Sequence, residues 1–182
     1  MKEFPYFIEI WLRGYTEEFK KLSNRNLENF HPHITIVRPF RILVDESKVI
    51  KDVYNFCKKY NPIPYTLAGK GNFNGKYYHV PLSNHQGILE ISDGLEHILE
   101  PSVVFAPKIE KEKHLHVTID EQEDIQSFEG ANTFMTRLTG IKDKKIWFSY
   151  DFFTEKVLNR EESLDKSILN EDIEKFIETY FS

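Results

Sequence analysis

Cysteine is nearly absent: Cys57 is the single one in 182 residues. That excludes an internal disulfide and a cysteine-rich zinc site. No apolar run approaches the roughly 20 residues needed to span a membrane. The apolar stretch from Phe4 to Leu12 is broken by Glu9 and lacks a signal peptide's succession of basic, apolar and small residues. There is no basic excess either. The formal net charge of −5 has the wrong sign for a protein that coats long nucleic acid, while a nucleotide, a short oligonucleotide or an RNA end remains a suitable partner. Low-complexity segments and long linkers are also missing. The expectation is a cytoplasmic, reduced monomer with no membrane partner.

What is present reads as one globular unit. Apolar residues make up 40% and charged residues 29%, a balance that excludes disorder. The chain is expected to form a single two-lobed domain over residues 1–182. Aromatics reach 14%, enough to fill the core and to line a base-binding cleft. Phe7 to Leu12 and Phe30 to Val37 read as strands. Asp45 can cap a helix carrying Val49, Val53, Phe56 and Tyr60, with Lys58 and Lys59 in its last turn. A hairpin follows from Tyr65 to Val80 around Gly69, Gly71 and Gly75. A second helix carries Ile88, Ile91, Leu95 and Ile98 and stops at Pro101. His114 to Ile119 is a strand, Ile125 to Leu138 a helical region through Phe128 and Met135, and Lys145 to Phe153 a strand. Asn170 caps a last helix with Ile173, Phe176, Ile177 and Tyr180 on one face. The pattern is α+β in two halves.

The informative feature is an internal echo. His31-Pro32-His33-Ile34-Thr35-Ile36 recurs as His114-Leu115-His116-Val117-Thr118-Ile119, 83 residues later. Chance placement of the histidines and threonines, with apolar residues after both motif positions, gives roughly 0.06 such motifs, against the two found. Strand alternation sends His33 and Thr35 to one face and Ile34 and Ile36 to the other. His116 and Thr118 divide from Val117 and Ile119 in the same way. If a pseudo-twofold relates the two halves, two imidazoles flank one ligand with a hydroxyl beside each.

That arrangement suits displacement at phosphorus, which needs a base for the incoming oxygen and an acid for the departing one. Histidine as a residue type serves both roles near neutral pH. Threonine hydroxyls can donate to the non-bridging oxygens where charge builds.

The pair His33-Ile-Thr-Ile36 and His116-Val-Thr-Ile119 resembles the paired His-x-Thr-x signature of the 2H phosphoesterase superfamily, which includes 2′-5′ RNA ligase and cyclic phosphodiesterase enzymes. The resemblance extends to an opening strand and to a Gly-x-Gly-x-Phe hairpin (Gly69, Gly71, Phe73) between the motifs. It implies a bilobal α+β fold with pseudo-twofold duplicated antiparallel sheets lining a central cleft and helices outside. It also implies acid/base roles for His33 and His116 and phosphate binding by Thr35 and Thr118, with no cofactor and no metal.

Two other readings stand beside this one. His31 and His114 share the register of His33 and His116, and the two His-x-His pairs could hold a divalent metal in a hydrolase. Threonine is a poor ligand, however, and such a site leaves the duplicated threonine unexplained. A non-catalytic RNA- or nucleotide-binding module of the same fold is the third. Further substrate-binding candidates are Arg38, just past the first motif strand, and Phe73 and Tyr78 in the hairpin, as stacking platforms. The stretch from Gly69 to Tyr77 misses the P-loop spacing and its final hydroxyl residue. His79, His85 and His97 read as structural or surface residues, and the run from Glu110 to Lys113 as a solvated loop.

Overall fold

The computed structural model describes residues 3–11, 33–68, 71–73, 77–83, 85–108, 113–119 and 132–164. Alternating apolar residues build its centre: β1 (Tyr6–Trp11) runs antiparallel to β2 (His33–Ile42), with Ile10 opposite Ile34 and Glu9 opposite Thr35. A bulge follows, because Ile8 pairs with Val37 while Glu9 pairs with Thr35. The extra residue, Ile36, lets both Ile36 and Val37 be buried. The Ile36 carbonyl accepts a hydrogen bond from the Ser92 hydroxyl.

The two helices cover that apolar face. Helix α1 (Glu46–Cys57) buries Val49, Val53 and Cys57. Asp45 stands at its N-cap position without a side-chain cap bond. It ends before Lys58 and Lys59, earlier than the sequence suggests, because the Tyr60 amide turns back to the Cys57 carbonyl at 3.0 Å. Helix α2 (Gln86–Leu99) buries Ile88, Ile91, Leu95 and Leu99. Gly94 is required by packing: a Cβ there would run into the Phe56 ring of α1. Neither helix is long and apolar enough to cross a membrane, nor is any other among the described residues.

The remaining strands are β3 (Ile63–Leu67), β4 (Gly71–Phe73), β5 (Tyr77–Ser83), β6 (Val103–Phe105), β7 (His116–Ile119), β8 (Asn132–Met135), β9 (Arg137–Lys142), β10 (Lys145–Asp151) and β11 (Lys156–Leu158). Their order is β11-β10-β9-β1-β2-β7-β5-β3-β8, with β4 on β5 and β6 on β2. All the pairings are antiparallel. The chain is therefore an α+β fold in two halves that meet where β2 pairs with β7. On one side lie β11, β10, β9, β1 and β2, and on the other β7, β5, β3 and β8, so the two His-x-Thr strands are antiparallel neighbours at the junction.

One expectation is overturned. Met135 and Leu138, read as one helical stripe, lie in two different strands, β8 and β9. Their spacing of three mimics a helix, but Thr133, Thr136 and Thr139 are β-branched and favour extended backbone. Ile125 and Phe128 lie outside the described residues, as does the helix expected after Asn170. The hairpin joining β9 to β10 turns on Asp143 and Lys144, at φ 48° and 67°. A two-residue hairpin loop needs such angles, yet the sequence offers no glycine there to announce it. A short helix α3 (Arg160–Leu164) closes the described chain. Asn159 and Glu162 cap it reciprocally, each backbone amide donating to the other's side chain at 2.8 and 3.0 Å.

Candidate active site

The two motif strands are neighbours. Ile34 pairs with Val117 across β2 and β7, and both side chains are wholly buried. Antiparallel registry then sets Thr118 alongside His33 and His116 alongside Thr35. With Ile34 and Val117 turned to the helices, the four motif positions form one quartet on the opposite face. Residues diagonal across such a pair have separations of roughly 7–8 Å, which is the relation of His33 to His116. The polar pairs thus stand side by side along the seam between the lobes.

The two imidazoles are held differently. The His116 Nδ1 lies 2.8 Å from the His114 carbonyl oxygen. A carbonyl only accepts, so in this bond Nδ1 carries the hydrogen. His33 instead has its Nε2 3.5 Å from Glu9 Oε2. Glu9 is 1% exposed, while the His33 side chain is 28% exposed. The other Glu9 oxygen accepts a 2.5 Å hydrogen bond from the Trp11 indole. Phe7 lies beside the His33 ring, with centroids 6.4 Å apart. Thr35 is exposed on the same face.

Glu9 is the residue that sequence reasoning missed. Its signal was present: a carboxylate interrupts the apolar strand between Ile8 and Ile10, both wholly buried. His79 was also set aside, and the backbone pairs it with Thr118, and Gly71 in turn with His79. It therefore occupies the register position next to the quartet on β5.

The other candidates are less central. Arg38 is not brought to the quartet. Its Nε lies 3.6 Å from Glu96, its Nη1 donates to the Ala106 carbonyl at 3.2 Å, and its guanidinium sits over the Phe105 ring. The same Glu96 lies 3.2 Å from the Lys113 ammonium, which also donates to Ser92 at 2.6 Å. Lys113, expected in a solvated loop, is instead a partly buried anchor for the entry to β7. Tyr78 pairs with Ile119 and so alternates with the Thr118 row, whereas Phe73 pairs with Tyr77, in the same alternation as His79. His114 is exposed, and His31 lies outside the described residues. Among the described residues, no group of three or more His, Cys, Asp or Glu is arranged to hold a metal ion.

No protein-family model and no curated protein sequence matches the chain. Among solved structures it is similar to the crystal structure of E. coli LigT complexed with NADP+, at 14% sequence identity and a TM-score of 0.45, over 86% of this chain and 93% of that one.

Proposed function

We propose that the chain is a metal-independent phosphodiesterase acting on a 2′,3′-cyclic phosphate or a 2′-5′ linkage at an RNA end or in a small nucleotide. His33 and His116 serve as its general acid and base. The observation that supports this most is the Ile34–Val117 register. It draws together two motifs that are 83 residues apart in the chain. The diagonal separation of roughly 7–8 Å leaves room for a phosphoryl group hydrogen-bonded from both sides at about 3 Å. One imidazole takes the proton of the attacking oxygen while the other donates to the departing one. Thr35 and Thr118 occupy register positions beside the two histidines and supply donors for the non-bridging oxygens. The same groups run the transesterification in reverse: a 5′ hydroxyl gives up its proton and attacks a 2′,3′-cyclic phosphate, the P–O3′ bond breaks, and the departing 3′ oxygen takes a proton, leaving a 2′-5′ linkage. We place the enzyme in the cytoplasm as a monomer. Its one cysteine is a buried thiol, pushed by burial up to about 12 and so inert as a nucleophile.

A panel of phosphodiesters tests the reading: 2′,3′-cyclic nucleotides, 2′-5′ dinucleotides and oligonucleotides ending in cyclic phosphate, with products identified by mass and chromatography. Turnover that opens the ring or cleaves the 2′-5′ linkage is expected. Saturable binding with no turnover of any of them would leave a nucleotide-binding module of the same fold.

A further inference from the structure

The motifs are symmetric in sequence, yet the surroundings of their histidines are not. His116 is held by a neutral backbone carbonyl. His33 faces a carboxylate on the neighbouring strand, with β1 and β2 paired so that Trp11 stands opposite His33 and Glu9 opposite Thr35. A carboxylate that is 1% exposed, between two wholly buried isoleucines, is costly to bury unless its partners compensate. The Trp11 indole holds one oxygen at 2.5 Å, which turns the other toward the His33 ring.

From this we propose that Glu9 is a positioning residue for His33, and that Trp11 sets the carboxylate in place. The role rests on the reading of His33 as a general acid or base. Facing Nε2, the carboxylate favours the tautomer that carries hydrogen on that nitrogen and fixes the rotation of the ring. It also stands as counter-charge when the ring holds a second proton, the relation a buried carboxylate bears to histidine in acid-base triads. His116 obtains its orientation from the backbone carbonyl of His114.

The experiment compares wild type with Glu9→Gln, which keeps the shape and removes the charge, and Glu9→Leu, which removes both polar atoms. With a 2′,3′-cyclic nucleotide, kcat is expected to fall about 10- to 100-fold in each, less than for loss of the imidazole itself. KM should stay within about twofold, because the substrate contacts remain. In a His33→Ala background neither change should lower kcat further, since Glu9 acts through that ring. Nitrogen-15 spectra of the His33 ring provide a readout independent of turnover: the Nε2–H form should dominate in wild type and lose ground in Glu9→Leu. If Glu9→Leu does not fold, Glu9→Gln carries the kinetic and spectroscopic comparisons alone. Unchanged kcat in the folded variants, an equal loss with and without His33, or ring signals indifferent to position 9 would each overturn the proposal. If wild type turns over no phosphodiester, the enzymatic reading fails, and the spectra of the resting protein still decide whether Glu9 sets the state of His33.

Discussion

Ile34 on β2 lies directly opposite Val117 on β7, and neither side chain has any exposed surface. This contact joins the two halves of the sheet, and it also determines which face carries the motif histidines and threonines. A slip of one residue in either strand would send its histidine and threonine to the helices and its aliphatics to the opposite face. Burying the aliphatic pair contributes about 1.5–3 kcal/mol for each side chain. The same contact serves stability and site assembly.

Ile34→Ala should therefore cost about 2–5 kcal/mol in unfolding free energy, and Ile34→Val about 0.5–1.5. Urea unfolding followed by circular dichroism measures both. Loss of less than half a kilocalorie in the alanine variant would mean that the junction is not packed as described.

The clamp behind the motif strands makes a separate demand. Glu96 on α2 meets Arg38 of β2 at 3.6 Å and Lys113, before β7, at 3.2 Å. Glu96→Ala takes the carboxylate from Arg38 while Lys113 keeps Asp93 at 3.3 Å, and should cost about 1–3 kcal/mol, discounted because both cations are about a quarter exposed. Arg38→Ala should lower stability without raising KM for a phosphodiester, since its side chain is committed to Glu96 and Ala106. A large rise in KM with unchanged stability would return Arg38 to substrate binding.

Acid sensitivity should centre on Asp151. Burial pushes its carboxyl up, but the Thr154 amide, the Arg137 guanidinium at 2.5 Å and the Phe153 amide outweigh that and hold it below the usual carboxylate range. A lowered folded-state value means that the stabilisation is present above the unfolded value of about 3.9 and is lost as pH falls through the folded one. Urea midpoints should thus drop below about pH 4 in wild type. Asp151→Asn leaves the buried Arg137 without its counter-charge and should cost about 3–5 kcal/mol at neutral pH, with a shallower decline in acid. Parallel acid profiles for the two proteins would show that Asp151 is not the titrating group.

Legibility followed locality. The His-x-Thr echo, the strand from Lys145 and the helix through Ile88 and Leu95 were all readable, because each rests on spacing within a few residues. The hairpin at Asp143 and Lys144 was not, since its positive φ angles are imposed by pairing of the flanking strands without glycine. Met135 and Leu138 were misread because two short strands in succession can imitate helical spacing. Glu9 became meaningful only when registry placed it beside residues 24 and 26 positions later. Arg38 was drawn to phosphate by its place in the sequence, but Glu96 sits 58 positions away and nothing local announces it.

Removing metal separates the proposed mechanism from one built on the two His-x-His pairs. Full activity is expected after exhaustive chelation. Activity lost on chelation and restored by a divalent ion would make those histidines ligands and displace the acid-base reading.

The most direct test of mechanism concerns His33 and His116 together. Alanine at either should lower turnover of a cyclic phosphodiester by about 10²–10⁴-fold while the fold survives, because both rings are partly exposed. Thr35→Ala and Thr118→Ala should cost less, each removing one donor among several. One ring must arrive neutral and the other protonated, so the wild-type rate should follow a bell in pH whose limbs belong to the pair. Losing the base should remove the acidic limb, and losing the acid should remove the basic one. A substrate with an activated leaving group needs no proton on departure, and so should rescue the acid variant alone. The different supports of the two rings, a carboxylate for one and a carbonyl for the other, give a structural reason to expect that inequality. Equal rescue of both variants, or a flat wild-type profile with chemistry shown to be rate-limiting, would rule out an opposed acid and base at this seam.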